Sequence, residues 1–232
     1  MRIALLLATT ALLAGCASRP TPVALAPIVP PPAIVAAAPA PPAGAAPNLT
    51  LPTRLGDGGW ATPNRGISNA AATWHLRAAL NVATLSCRDA LEPQTVASYN
   101  TLLAAKRAEL AQADERLRAE YRAGFGPAWQ DAHDDAMTRV YNFFALPPVQ
   151  AAFCAEARTV LAEVAAAPPE AFAAMAPAAL ARIEAPFTAF FDAYERYRLD
   201  RATWLAARTA TAPRLEVSAA VLSAGVGVAA PR

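Results

Sequence analysis

His75 and His133 are the only two imidazoles in the chain, and each stands among residues that could share chemistry with it. Asp131-Ala132-His133-Asp134-Asp135 is the densest group of metal-ligand residue types. On a helix, Asp131 and Asp135 fall on one face and His133 on the opposite side, so a single ion cannot readily take all three. No His-x-x-x-His pair supplies a second ligand, and no metal site is expected. The acids suit an exposed face near a helix N-terminus, where negative charge is favourable. His133 is then expected in the core, hydrogen-bonded to a neighbouring helix. Trp74-His75-Leu76-Arg77 is the second cluster. Trp74, His75, Arg77 and His133 are accordingly the candidate ligand-binding residues of a polar pocket among helices. The plainer reading of that stretch is a packed indole with solvated polar tips.

Other catalytic arrangements are missing from the sequence. There is no Gly-x-Ser-x-Gly elbow, and Ser86 and Ser98 have no base close in sequence. Leu55-Gly56-Asp57-Gly58-Gly59-Trp60 is rich in glycine, but no Lys-Ser/Thr follows to make a phosphate loop. No catalytic residue and no cofactor is expected. Twenty basic and 18 acidic residues leave a formal charge of +2, without the basic concentration that nucleic acid requires. All the basic residues are arginine except Lys106. The stretch from Tyr194 to Arg201, with Trp204, is the most aromatic and basic patch and could meet anionic lipid or cell-wall polymer. Its internal reading has the tyrosines packed inward and the pairs Asp192/Arg196 and Glu195/Arg198 formed along one helix.

The elements that must position these residues read as helices punctuated by proline and glycine. Ser68-Asn69 caps a first helix over about residues 70–86, with Leu76, Leu80, Ala83 and Cys87 on its buried stripe. Pro93 opens a second, to about residue 123, in which Val96, Tyr99, Leu103, Leu110, Ala113 and Leu117 recur at helical spacing. Gly124-Phe125-Gly126-Pro127 breaks it. A third covers about residues 127–145, and a fourth, ending near residue 166, carries Cys154 beside Phe153, Ala157, Val160 and Val164. A last helical section runs from Pro168 to about Arg208, and Pro177 and Pro186 are expected to divide it into at least two pieces. The fold class is all-α: a single bundle of about five to six helices over residues 56–208. Trp60 is expected to latch onto it.

Eleven prolines lie between Pro20 and Pro52, with no charge between Arg19 and Arg54. No helix or sheet can run through such a stretch, so residues 16–55 are expected to form an extended, disordered tether. Residues 209–232 are expected to be a flexible tail.

The N-terminus begins with Arg2 and an uncharged run too short to span a bilayer. A charged start, a short apolar core and small residues at its end are the parts of a signal peptide, here residues 1–15. Leu13-Ala14-Gly15-Cys16 resembles the lipobox of bacterial lipoproteins. The resemblance covers only the export signal, and it implies cleavage before Cys16 and lipidation of that residue. Ala17, where an Asp would favour inner-membrane retention, points to the outer membrane with the domain facing the periplasm. With Cys16 lipidated, Cys87 and Cys154 are left to pair in an oxidising compartment. Closing that loop of about 67 residues stabilises the fold by about 4 kcal/mol in the chain-entropy picture.

The function these observations favour is a non-enzymatic structural or interaction protein of the cell envelope. Its partners would be the membrane, through the lipid, and an envelope protein or peptidoglycan, with no nucleic acid. A binding module for a small ligand or peptidoglycan fragment is the alternative, and an enzyme comes third.

Overall fold

Ser68 starts the first helix as its sequence suggests: its hydroxyl accepts from the amide of Ala71 at 3.1 Å, the usual N-cap bond. In a computed structural model that describes residues 37–211, this helix is α1, Asn69–Ser86. The expected signal peptide, Cys16, the first part of the expected tether and residues 212–232 lie outside the described residues. The helices that follow are α2 (Glu92–Ala105), α3 (Arg107–Phe125), α4 (Trp129–Phe144), α5 (Gln150–Ala166) and α6 (Phe172–Thr211). Short 3-10 turns at Pro147–Val149 and Pro169–Ala171 lead into α5 and α6. There is no strand among the described residues, only an isolated antiparallel bridge between Arg54 and Trp60. The fold is an all-α bundle.

α1 is its axis. It packs against each of the other five α-helices, and its buried residues, including Ala72, His75, Leu76, Ala79 and Val82, surround the helix instead of forming one stripe. A helix apolar all round belongs in the centre of a domain. Its alanines let neighbouring backbones approach closely. The aromatic centre lies where α4, α5 and α6 meet: Phe144 stacks on Phe153 at 5.8 Å, and Phe187 meets both edge-on. Cys87, which caps α1, is joined to Cys154 of α5 by a disulfide, as expected, with a Cα–Cα distance of 5.7 Å.

Three expectations about the helices need correction. The long second helix is two helices, because the chain leaves helical geometry at Lys106. The chain's one lysine is 1% exposed, and its ammonium donates to the carbonyl of Ala167 just beyond α5. A cation is favoured at that carbonyl-rich helix end. Replacing it in Lys106→Met keeps most of the volume but removes a charge-assisted bond, so urea denaturation should show a loss of about 2 kcal/mol.

Second, α6 is continuous through Pro177 and Pro186. Each proline removes one backbone bond, yet Ala176, Ile183, Phe187, Phe191 and Tyr194 are buried before, between and after them. Burial on one stripe across both prolines keeps the segment helical where local propensity would divide it. Third, α6 extends to Thr211, so the first residues of the expected tail are helical.

The packed region also begins before residue 56. Ala45 is buried. The Tyr194 hydroxyl donates to the carbonyl of Ala46 at 2.6 Å and accepts from the amide of Leu49 at 2.9 Å. Arg198 donates to the carbonyl of Leu49 at 2.5 Å. Arg54 reaches Asp192 and Glu195 at 2.8 and 2.5 Å. The described end of the expected tether is therefore a strap fastened along α6. Prolines leave few backbone donors here: the Ala45 and Leu49 amides close short turns onto Pro42 and Ala46, and the strap's remaining polar contacts go to α6 side chains. Trp60 completes the attachment as the expected latch: it is buried edge-on to Phe191 at 5.5 Å, and its indole donates to Asp192 at 3.1 Å.

Candidate functional site

Asn64 and His75 meet where the entry loop turns into α1. Arg65 closes a turn onto the carbonyl of Thr62, and Gly66 follows with a φ of +67°, a conformation that a side chain would strain. The turn sets the Asn64 amide oxygen 2.9 Å from Nδ1 of His75. An amide oxygen only accepts, so Nδ1 carries the proton and Nε2 the lone pair. His75 is 4% exposed, and burial, with a smaller contribution from a charge on His133, pushes its pKa down to about 4. Near neutral pH it is an uncharged imidazole with little strength as a base.

His133 approaches from α4. Its Nδ1 lies 3.2 Å from a carboxylate oxygen of Asp134, and its ring meets Tyr121 of α3 edge-on at 5.2 Å. The expected hydrogen bond to a neighbouring helix is replaced by one to the adjacent residue, and the contact with α3 is through an aromatic face. Nε2 of His133 and Nδ2 of Asn64 are buried without a hydrogen-bond partner. Such atoms cost about 1–3 kcal/mol each unless water or a ligand reaches them. Among the described residues, no group of three or more His, Cys, Asp or Glu side chains is arranged to hold a metal ion.

Of the four residues singled out from sequence, only His75 lines the cavity; His133 lies near enough for its charge to act on His75, and Trp74 and Arg77 lie elsewhere. Successive residues on a helix are turned by about 100°, which puts Arg77 on nearly the opposite side of α1 from His75. Its guanidinium lies over the Trp74 ring at 5.1 Å and donates to the Tyr141 hydroxyl at 3.1 Å. Its carbonyl accepts from Tyr99 at 3.5 Å. Trp74 and Arg77 thus form a packed polar contact between α1, α2 and α4. They do not share a pocket with His75.

A cavity of about 170 Å³ opens beside His75, between the entry loop, α1, α3 and α4. Its apolar wall includes Ile67, Leu117 and Val140, and Tyr121 and Arg139 complete it. Burial pushes the Tyr121 hydroxyl above its usual pKa of 10; the nearby charge of Arg139 opposes that shift and the carboxylate of Glu120 adds to it. Asn64, Tyr121 and Arg139 escaped the sequence reading. Tyr121 carried a signal, standing four residues after Leu117 on the α3 stripe. Asn64 and Arg139 carried none, since only the packing of loop, α1 and α4 brings them near His75.

Part of the aromatic and basic patch of α6 is covered by the strap. Tyr194 and Tyr197 are buried, as their inward reading requires. The helix-internal pairs Asp192/Arg196 and Glu195/Arg198 are not among the ion pairs. Arg54 of the strap takes both acids, and Arg198 lies over the Tyr194 ring at 5.1 Å. No protein-family model, curated protein or solved structure matches this chain.

Proposed function

We propose that this protein is a lipid-anchored component of a bacterial cell envelope, held in the outer membrane through Cys16. Its helical domain faces the periplasm and serves as a structural or interaction module, without catalytic activity. The observation that carries this reading is Leu13-Ala14-Gly15-Cys16 at the end of a short apolar run. Cys16 is the third cysteine of a chain whose other two form the Cys87–Cys154 disulfide. A disulfide supports an oxidising compartment, and the remaining thiol is the one the lipobox-like motif places for acylation.

Two features support a structural task. A base with a pKa of about 4 is poorly matched to proton transfer near neutral pH. The strap fastens the start of the domain to α6 at Ala45–Arg54, directly after the proline-rich sequence that follows Cys16. Fractionation of cells tests the anchor. Cys16→Ala should move the protein from the membrane fraction to the soluble one, because several acyl chains give effectively stable attachment. Full retention in the membrane would refute it.

A further inference from the structure

The cavity beside His75 has the chemistry of a small anion-binding site with an apolar floor. Arg139 is exposed at its edge and makes no hydrogen bond or ion pair with a described residue. A guanidinium held there offers two parallel donors, matched to a carboxylate. Tyr121, a half-buried residue, stands beside it, and its hydroxyl has no hydrogen-bond partner among the described residues, although the Glu120 carboxylate is near enough for its charge to be felt. Behind these two groups the wall is hydrocarbon from Ile67, Leu117 and Val140. His75 contributes the polar group of the wall, and its Nε2 accepts because Asn64 holds the proton on Nδ1.

We propose that this cavity binds a carboxylate carried on a short aliphatic stem. Arg139 and Tyr121 take the carboxylate, and the stem lies against Ile67, Leu117 and Val140. Its volume of about 170 Å³ sets the size: at about 30 Å³ per water-sized group, it holds about six heavy atoms. Two sources present such a group. One is a free short-chain acid. The other is the terminal residue of a peptide with a small side chain, whose amide N–H would donate to Nε2 of His75. The site does not depend on Cys16 or on lipid attachment, so it stands or falls separately from the envelope assignment.

NMR titration of the full chain tests it, using butyrate as the free acid, N-acetylalanine as the peptide terminus and butyramide as the uncharged control. The ring protons of His75, which lines the cavity, report directly on it. Butyrate or N-acetylalanine should shift the His75 signals with a Kd on the order of 1 mM, as expected for so small a ligand. Tighter binding of butyrate assigns the free acid, and tighter binding of N-acetylalanine assigns the peptide terminus. Arg139→Gln should weaken the better ligand at least about tenfold, the loss expected when a charge-assisted pair is removed. Arg139 has no internal bond to lose, so the variant keeps its fold, which unchanged signals elsewhere would verify. Tyr121→Phe should weaken the same ligand by a smaller factor. The proposal is overturned if neither acid shifts His75 up to about 50 mM, if butyramide binds as well, or if Arg139→Gln leaves the affinity unchanged.

Discussion

Replacing both disulfide cysteines, as in Cys87→Ala with Cys154→Ala, is expected to lower stability by about 4 kcal/mol and the melting temperature on the order of 10 °C. The bond closes a loop of 67 residues that includes α2, α3 and α4. Opening it returns the conformational freedom of that loop to the unfolded chain. The two sulfurs are also buried, with the Gln150 amide 3.4 Å from the sulfur of Cys154. The site therefore loses packing as well as the covalent link. Arg158 offsets part of the loss by tying the same corner: it donates to both carboxylate oxygens of Asp89 at 2.7 and 2.8 Å and to Thr95 at 3.0 Å. The folded state should consequently persist, with weaker attachment of α5 to the end of α1. Thermal unfolding with and without reductant measures the effect. An unchanged midpoint in reductant, with thiol titration confirming the open bond, would show that the loop contributes little entropy.

Acid should weaken the fold through His75. The folded-state pKa of about 4 lies below the ordinary value of 6.5, so below pH 6.5 the unfolded chain binds a proton that the folded chain refuses. Stability is fully present above pH 6.5 and falls as pH drops toward 4, by about 1.4 kcal/mol per unit and about 3 kcal/mol in all. The physical cause is the enclosure of the imidazole between the entry loop, α3 and α4, with a second histidine near enough to disfavour its charge. Asp89 adds its own acid sensitivity lower down, because Arg158 holds its carboxyl below the usual range. Comparing urea denaturation of the native chain and His75→Gln across this pH range isolates the histidine. The variant should have the shallower pH dependence, and equal slopes would remove His75 as the cause.

How far the sequence reached can be seen helix by helix. Leu76, Leu80 and Ala83 in α1, and Phe153, Ala157, Val160 and Val164 in α5, are buried where their spacing placed them. Helical periodicity records which side of a helix avoids water, so it transfers directly to the folded state. Lys106 shows the limit. It lies on the Tyr99–Leu117 stripe, three residues after Leu103 and four before Leu110, yet a lysine in a helical pattern is ordinarily solvated. Its burial depends on the last carbonyls of α5, some 60 residues away. The candidate site divides in the same manner. His75 and His133 were visible as residue types, while the placing of His75 in the cavity, and the exclusion of Trp74 and Arg77, depended on how α1 is rotated against α3 and α4.

The helical class, the principal breaks at Gly124–Pro127 and Pro147-Pro148 and the docking of Trp60 follow from local stereochemistry and periodicity, and the pairing of Cys87 with Cys154 from the count of cysteines once the lipobox-like motif sets Cys16 apart. Packing between distant segments carries α6 unbroken through two prolines, lays the proline-rich strap on α6, and gathers Asn64, Tyr121 and Arg139 around His75. Those outcomes rest on burial and hydrogen bonds between segments distant in the chain. Their free energies exceed the local preferences they override, and no window of sequence contains both partners.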